Sequence, residues 1–406
     1  MNYQTQTLSN GLRVIHCDFS SPISYCGIVV NTGSRDEHPE EHGVAHFVEH
    51  LLFKGTQRRK AHHIANRMEN IGGELNAYTT KEETFIYATF LTSYFSRATE
   101  LLGDIVFNSI FPEKQIERER EVILDEINAY IDSPAELIYD DFENLLFSQH
   151  DMGHYILGSP ESLCDIDKKA IRDFVERQYQ PQKMVFFSYG KTPFSTVVRM
   201  AEKYFSAATQ NMYTPKRRIP PTPNEPITDI IRKQTAQTHV IMGCRTYDMY
   251  HDRRFPLYLI HNIMGGGSLN SRLNTSLREK HGLVYNVETN AVLYTDTGLF
   301  YIYFACDTKD KEKCIKLINK EIDKLKRTPL TPLQLSLAKK QWIGHMGIAL
   351  ENNENVALTI AKNFLHFNPI LSFNAISSRI EAITSEQIQE TANEVFNTPF
   401  SCLCYI

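Results

Sequence analysis

The sequence predicts an α+β fold built from two homologous domains, each a largely antiparallel sheet with helices packed on one face. Three observations carry that expectation. Apolar stretches of alternating pattern lie next to one another along the chain, as strands joined by hairpins do. Helical periodicities come in runs and do not alternate one-for-one with the strands, which argues against a parallel α/β sheet. The same order of elements then recurs in the second half of the 406 residues.

In the first half, an apolar strand over 23–30 runs into a polar loop and a helix carrying His46 and His50. A second helix over 61–70 ends at Gly72-Gly73, and strands follow over 74–79 and 84–91. In the second half, a strand over 239–244 leads to a helix over 253–264. Another helix over 270–280 ends at Gly282, before strands over 283–291 and 298–306. Gly72 and Gly282 occupy matching places, as do Asn76 and Asn286; glycine there suits the left-handed residue that terminates a helix. Between the halves, the stretch QNMYTPKRRIPPTPNEPIT is rich in proline and polar residues and lacks periodicity. The expected division is therefore 1–210, a linker at 211–228, and 229–406.

Composition narrows the function classes. Hydrophobic residues at 42% and charged residues at 22% are the proportions of a globular chain. A net charge of −5, with lysines and arginines scattered, gives no nucleic-acid footprint. No stretch approaches the roughly 18 apolar residues of a membrane span, and the start does not read as a secretory signal. The eight cysteines form no Cys-x-x-Cys pair and sit mostly in apolar segments, the pattern of reduced thiols in a cytoplasmic protein.

The chemistry concentrates in EHGVAHFVEHLLFKGT. On a helix His46 and His50 lie at i and i+4, so both imidazoles leave one face and can take two corners of a tetrahedral zinc site. Glu49 sits where its carboxylate reaches a metal-bound water and can act as general base. Alone, His-x-x-Glu-His also arises by chance on exposed helices. Here Val44, Phe47, Val48, Leu51 and Leu52 make the helix largely buried, and burying two histidines and a glutamate is costly without a ligand. A third ligand is required, and the helix IEREREVILDEINAYI offers two candidates. Glu119 and Glu126, seven residues apart and within about 20° on a helical wheel, both border its apolar stripe of Ile116, Ile123, Ile127 and Tyr130. Geometry leaves the choice between them open. Glu117, Glu121 and Asp125 point elsewhere. The neighbours His62 and His63 diverge by about 100° and chelate poorly together. Gly265-Gly266-Gly267 lacks the Lys-Ser/Thr of a phosphate loop.

These motifs resemble the inverzincin, or pitrilysin-type, zinc metallopeptidases, which carry His-x-x-Glu-His and a distant glutamate. Thr7-Leu-Ser-Asn10-Gly11-Leu12 and Gly72-Gly73-Glu-Leu-Asn76-Ala77-Tyr-Thr79 extend the likeness over essentially the whole chain, which is similar to two-domain bacterial processing peptidases related to mitochondrial processing peptidase and insulin-degrading enzyme. The resemblance implies a zinc endopeptidase with one Zn2+ per chain on His46, His50 and Glu126, the family spacing from the second histidine landing on Glu126. It implies Glu119 as a supporting catalytic residue, and Asn76 and Ala77 as main-chain partners of an extended peptide on an edge strand. Arg278 and Tyr285 match an arginine and a tyrosine that contact substrate at the scissile bond. The second half, without the motif, is expected to bind no zinc of its own. Longer relatives join four such domains, so a two-domain chain is expected to pair and close a chamber around peptide substrates. A homodimer is the simplest form, and a heterodimer with an inactive homologue is the other. The alternative function is that of a non-catalytic structural or partner subunit, which the intact motif argues against.

Overall fold

The computed structural model describes residues 3–208, 218–222, 225–233 and 235–406. Part of the expected linker, residues 211–217, 223 and 224, lies outside them. The expected α+β class holds: two sheets of mostly antiparallel strands are accompanied by runs of helices.

The first sheet comprises β1 (Tyr3–Thr7), β2 (Arg13–Asp18), β3 (Ile23–Val30), β4 (Glu74–Thr79), β5 (Thr84–Leu91) and β6 (Met184–Gly190), in the order β1-β2-β6-β3-β5-β4. Only β2 and β6 run parallel. The second comprises β7 (Thr228–Ile231), β8 (Thr238–Thr246), β9 (Val284–Leu293), β10 (Gly298–Cys306) and β11 (Ser401–Tyr405), ordered β7-β11-β8-β10-β9, with β7 and β11 parallel. Asn76 on β4 and Asn286 on β9 therefore both sit on edge strands. Gly72 and Gly282 adopt φ of 67° and 60°, the left-handed conformation expected at the helix ends. One expected helix differs: residues Asn274–Lys280 wind as a π-helix.

The chain forms two compact units. One is Met1–Ala129, His154–Arg217 and Ala349–Ile370; the other is Tyr130–Gly153, Arg218–Ile348 and Leu371–Ile406. They differ from the contiguous halves 1–210 and 229–406 in two exchanged segments, and the sheets explain why. In the first unit, Cys26, Ile28, Val30, Ile86, Ala88 and Phe186 pack into a core with helices α1 (Val44–Leu52) and α3 (Phe95–Phe107), between which come α2 (Ala61–Glu69) and, beyond α3, α4 (Glu113–Ile131). The alternate residues Val29, Phe85, Tyr87, Val185 and Phe187 form a second apolar face, which needs its own cover. The helix Asn353–His366 provides it with Val356, Ala357, Ile360, Ala361 and Phe364. In the second unit, α5 (Pro134–Leu146) lays Ile138, Phe142 and Leu146 over Ile241, Leu299, Tyr303, Leu403 and Tyr405.

An ion cluster pins the covering helix in the first unit. Glu83, 1% exposed, accepts hydrogen bonds from His366 Nε2 (2.6 Å), Lys362 Nζ (3.2 Å) and Thr80 Oγ1 (2.9 Å). Burial alone would raise its pKa; the His366 hydrogen bond, the charges of Lys362 and His366, and the Thr80 hydroxyl outweigh burial and hold it at about 2. A depressed carboxylate pKa contributes stability above the unfolded value of about 4.5, lost as pH falls towards 2. In acid titrations of thermal stability, wild type should lose a component across that window that Glu83→Gln lacks. Parallel acid profiles for the two proteins would show that the cluster does not couple to folding.

Candidate active site

The helix α1 is set by what it buries. Val44, Phe47, Val48, Leu51 and Leu52 are wholly inaccessible, so its rotation is fixed and His46, Glu49 and His50 share the remaining side. Its first residue follows Gly43, whose φ of 97° and 2.8 Å approach of a notional Cβ to Leu157 O leave room only for glycine. The unsatisfied amides at this end are met by Glu37, whose buried carboxylate accepts from Gly43 N (2.9 Å) and Ala45 N (2.8 Å). His154 Nε2 lies 3.1 Å from the same carboxylate. Burial raises the Glu37 pKa well above the carboxylate range, although the two backbone amides pull the other way.

Facing α1, α4 presents Glu119 and Glu126. His50 Nε2 lies 3.6 Å, and His46 Nε2 3.9 Å, from Glu126 Oε2. Among the described residues, His46, His50 and Glu126 form the one group of three whose donor atoms lie within 4.8 Å of one another. Donors around a tetrahedral zinc, with bonds of about 2.0–2.1 Å, sit roughly 3.3–3.5 Å apart, so this donor set fits zinc closely. Burial, then the neighbouring His50, holds His46 at about 3, so its imidazole is a neutral donor. Its Nδ1 is buried with no hydrogen-bond partner among the described residues.

Glu119 does not join that group. Its Oε2 lies 3.3 Å from His50 Nδ1, and its Oε1 2.8 Å from Lys54 Nζ. Glu119 is buried, whereas the Glu126 side chain is 46% exposed, so only one of the two acids expected beside the apolar seam is enclosed by it. Glu117, Glu121 and Asp125 are exposed, as expected. Glu49 Oε2 accepts from Thr79 Oγ1 at 2.8 Å. Burial raises the Glu49 pKa, against the Thr79 hydrogen bond and the His50 charge.

Thr79 ends β4, which among the described residues pairs with β5 alone, setting Asn76 opposite Tyr87 and Ala77 opposite Ile86. The other edge of β4 has no strand among the described residues. Arg278 and Tyr285 belong to the second unit, where the Arg278 guanidinium lies 5.5 Å from the centre of the Tyr285 ring, itself 81% exposed. His62 and His63 are exposed and outside the ligand group, and His42 stacks on His154 at 3.8 Å. The sequence reading missed Thr79, Lys54 and Glu37 as supports. Each is brought to the site by tertiary packing, although Lys54 carries one local signal: it follows His50 by four residues.

Comparison with known proteins concerns the chain as a whole. Residues 13–159 match the family described as Insulinase (Peptidase family M16), and residues 165–342 match the Peptidase M16 inactive domain. A Rickettsia felis protein described as an uncharacterized zinc protease is 32% identical, across 98% of this chain and 96% of its own length. The chain belongs to peptidase family M16. A second relative, the uncharacterized zinc protease YmxG of Bacillus subtilis, is 29% identical over 97% of this chain and 96% of that protein. Among solved structures, a Helicobacter pylori protease superposes with a TM-score of 0.94 at 21% identity, covering 100% of this chain and 99% of its own. A Pseudomonas fluorescens structure titled as a peptidase M16 inactive domain gives 0.92 at 20% identity, covering 100% and 98%. At those identities the structures speak for the M16 fold alone. Among the described residues no helix is long and apolar enough to cross a membrane.

The donor set makes a direct prediction. Purified protein should hold about one zinc per chain by metal analysis, and His46→Ala, His50→Ala and Glu126→Ala should each abolish tight binding. Full occupancy in Glu126→Ala would remove Glu126 from the ligand set.

Proposed function

We propose that this M16 chain is a zinc-dependent endopeptidase acting on peptides or unfolded protein segments. The observation that carries the reading is the convergence of His46, His50 and Glu126 with Glu49 beside them on α1. The family matches support it by their placement. The insulinase match covers residues 13–159, which hold the motif; the inactive-domain description falls on 165–342, where no His-x-x-Glu-His occurs.

His46, His50 and Glu126 would hold a zinc ion, whose chemistry would be that of a Lewis acid toward the scissile carbonyl and a nearby water. The chain's own residues do the rest. Thr79 holds Glu49 by Oε2, leaving Oε1 to take the proton of the attacking water and deliver it to the departing amine nitrogen. Burial raises the affinity of Glu49 for that proton, the direction a general base needs. The edge of β4, unpaired among the described residues, suits an extended peptide, whose backbone would pair at Asn76 and Ala77 while side chains vary. Exposed Tyr285 and half-buried Arg278, stacked together, are assigned to substrate contact and oxyanion stabilisation on the strength of the family likeness.

Pairing of two chains around a closed chamber, and a cytoplasmic location, belong to the same proposal. The free cysteines, six of them buried, accord with a reducing compartment. Sedimentation analysis should give a particle of twice 46.8 kDa; a monomer at micromolar concentration would remove the homodimer.

Glu49→Gln tests the reading. It keeps side-chain shape and all three metal ligands, so zinc and peptide binding should persist while turnover of a fluorogenic peptide falls by roughly two to four orders of magnitude. Turnover equal to wild type would remove Glu49 as the base.

A further inference from the structure

The two histidines of the metal site are supported unequally. His46 Nδ1 is buried with no partner among the described residues. His50 Nδ1 instead faces Glu119 Oε2 at 3.3 Å, and the other oxygen of that carboxylate lies 2.8 Å from Lys54 Nζ. The Glu119 side chain is 8% exposed and that of Lys54 is 30% exposed, so the ammonium closes the outer end of a chain of three groups whose middle member is buried.

We propose that Lys54 is a positioning residue for the metal site, acting through Glu119 on His50; the proposal rests on the zinc ligand set argued above. An imidazole that donates Nδ1–H to a carboxylate is fixed in one tautomer and orientation, with the Nε2 lone pair left to bind metal. His50 Nε2 is the atom that faces Glu126, so that tautomer presents the right nitrogen to the ligand group. A buried carboxylate holding only an imidazole lacks a full counter-charge, and it is held in place by a cation on its second oxygen. Lys54 is that cation. It comes just after the end of α1, four residues beyond His50, so the segment that supplies the ligand also supplies the group that orients it. The charges also balance: with zinc, Glu49, Glu119 and Glu126 ionised and Lys54 protonated, the cluster is neutral. Without Lys54 it carries a net negative charge in a site two of whose acids are largely enclosed.

A double-mutant cycle on zinc affinity, measured by competition with a chromogenic chelator, tests this. Lys54→Met should weaken zinc binding about tenfold, within the range of roughly 10–100-fold seen when a ligand's outer partner is lost. Lys54→Arg should restore most of the loss. In a Glu119→Gln background, Lys54→Met should cost nothing further, because its effect passes through that carboxylate. Thermal unfolding of the zinc-free proteins confirms that each variant folds, and Lys54→Gln replaces the methionine variant if that one does not. Unchanged affinity in Lys54→Met, or the same loss with and without Glu119, would overturn the proposal. If wild type itself binds zinc no better than His50→Ala, the ligand set fails first and the two failures are told apart.

Discussion

The burial of α1 on all but one side is the constraint on which the rest of the site depends. A helix of nine residues is too short to hold its own geometry in water, so its direction and rotation come from packing. Five wholly buried aliphatic and aromatic side chains fix that rotation and bring His46, Glu49 and His50 to the one side left. Burial has an electrostatic consequence as well. It keeps the His46 imidazole neutral and raises the affinity of Glu49 for a proton, so the packing that aims these groups also prepares their chemistry.

Holding that helix takes a buried polar framework, which is costly unless every charge is matched. Glu37 satisfies the amides at its start. The turn after β4 is almost wholly enclosed: Lys81, Glu82 and Glu83 are 3%, 1% and 1% exposed. Lys81 donates to His154 O, Glu82 pairs with Arg35 at 2.6 Å, and Glu83 pairs with Lys362 and His366. This turn begins where Thr79 reaches Glu49, so the charges hold both Glu49, proposed as the base, and the end of the edge strand proposed for substrate. Lys362 and His366 lie on the helix that covers the second face of the same sheet. Packing of that distant segment and the geometry of the site are thereby linked within one unit.

Much of this was legible in the sequence, for local reasons. The i, i+4 spacing of His46 and His50 and their apolar neighbours fixes a face, and the seven-residue spacing of Glu119 and Glu126 puts both acids on one side of α4. Periodicity could not separate the ligand candidate from its neighbour; that took the distances, with Glu126 by both Nε2 atoms and Glu119 by Nδ1. The exchanged helices were not legible, because an amphipathic pattern shows that a helix has an apolar face and not which sheet receives it. The continuous apolar run Ile28-Val29-Val30 on β3 is the one local feature that matches cover on both faces of the sheet. Thr79, Lys54 and Glu37 escaped because a threonine, a lysine and a glutamate in or beside loops have many ordinary uses, and only tertiary contact singles them out.

The central claim is that this chain binds zinc through two imidazoles and a carboxylate at α1 and α4. X-ray absorption spectroscopy of the zinc-loaded protein at the zinc edge tests it most directly. The account predicts a four-coordinate shell of nitrogen and oxygen at about 2.0–2.1 Å, with the outer-shell scattering of two imidazoles and no sulfur. A sulfur shell at about 2.3 Å, which would put the metal on cysteine, or a shell without imidazole scattering, would contradict it.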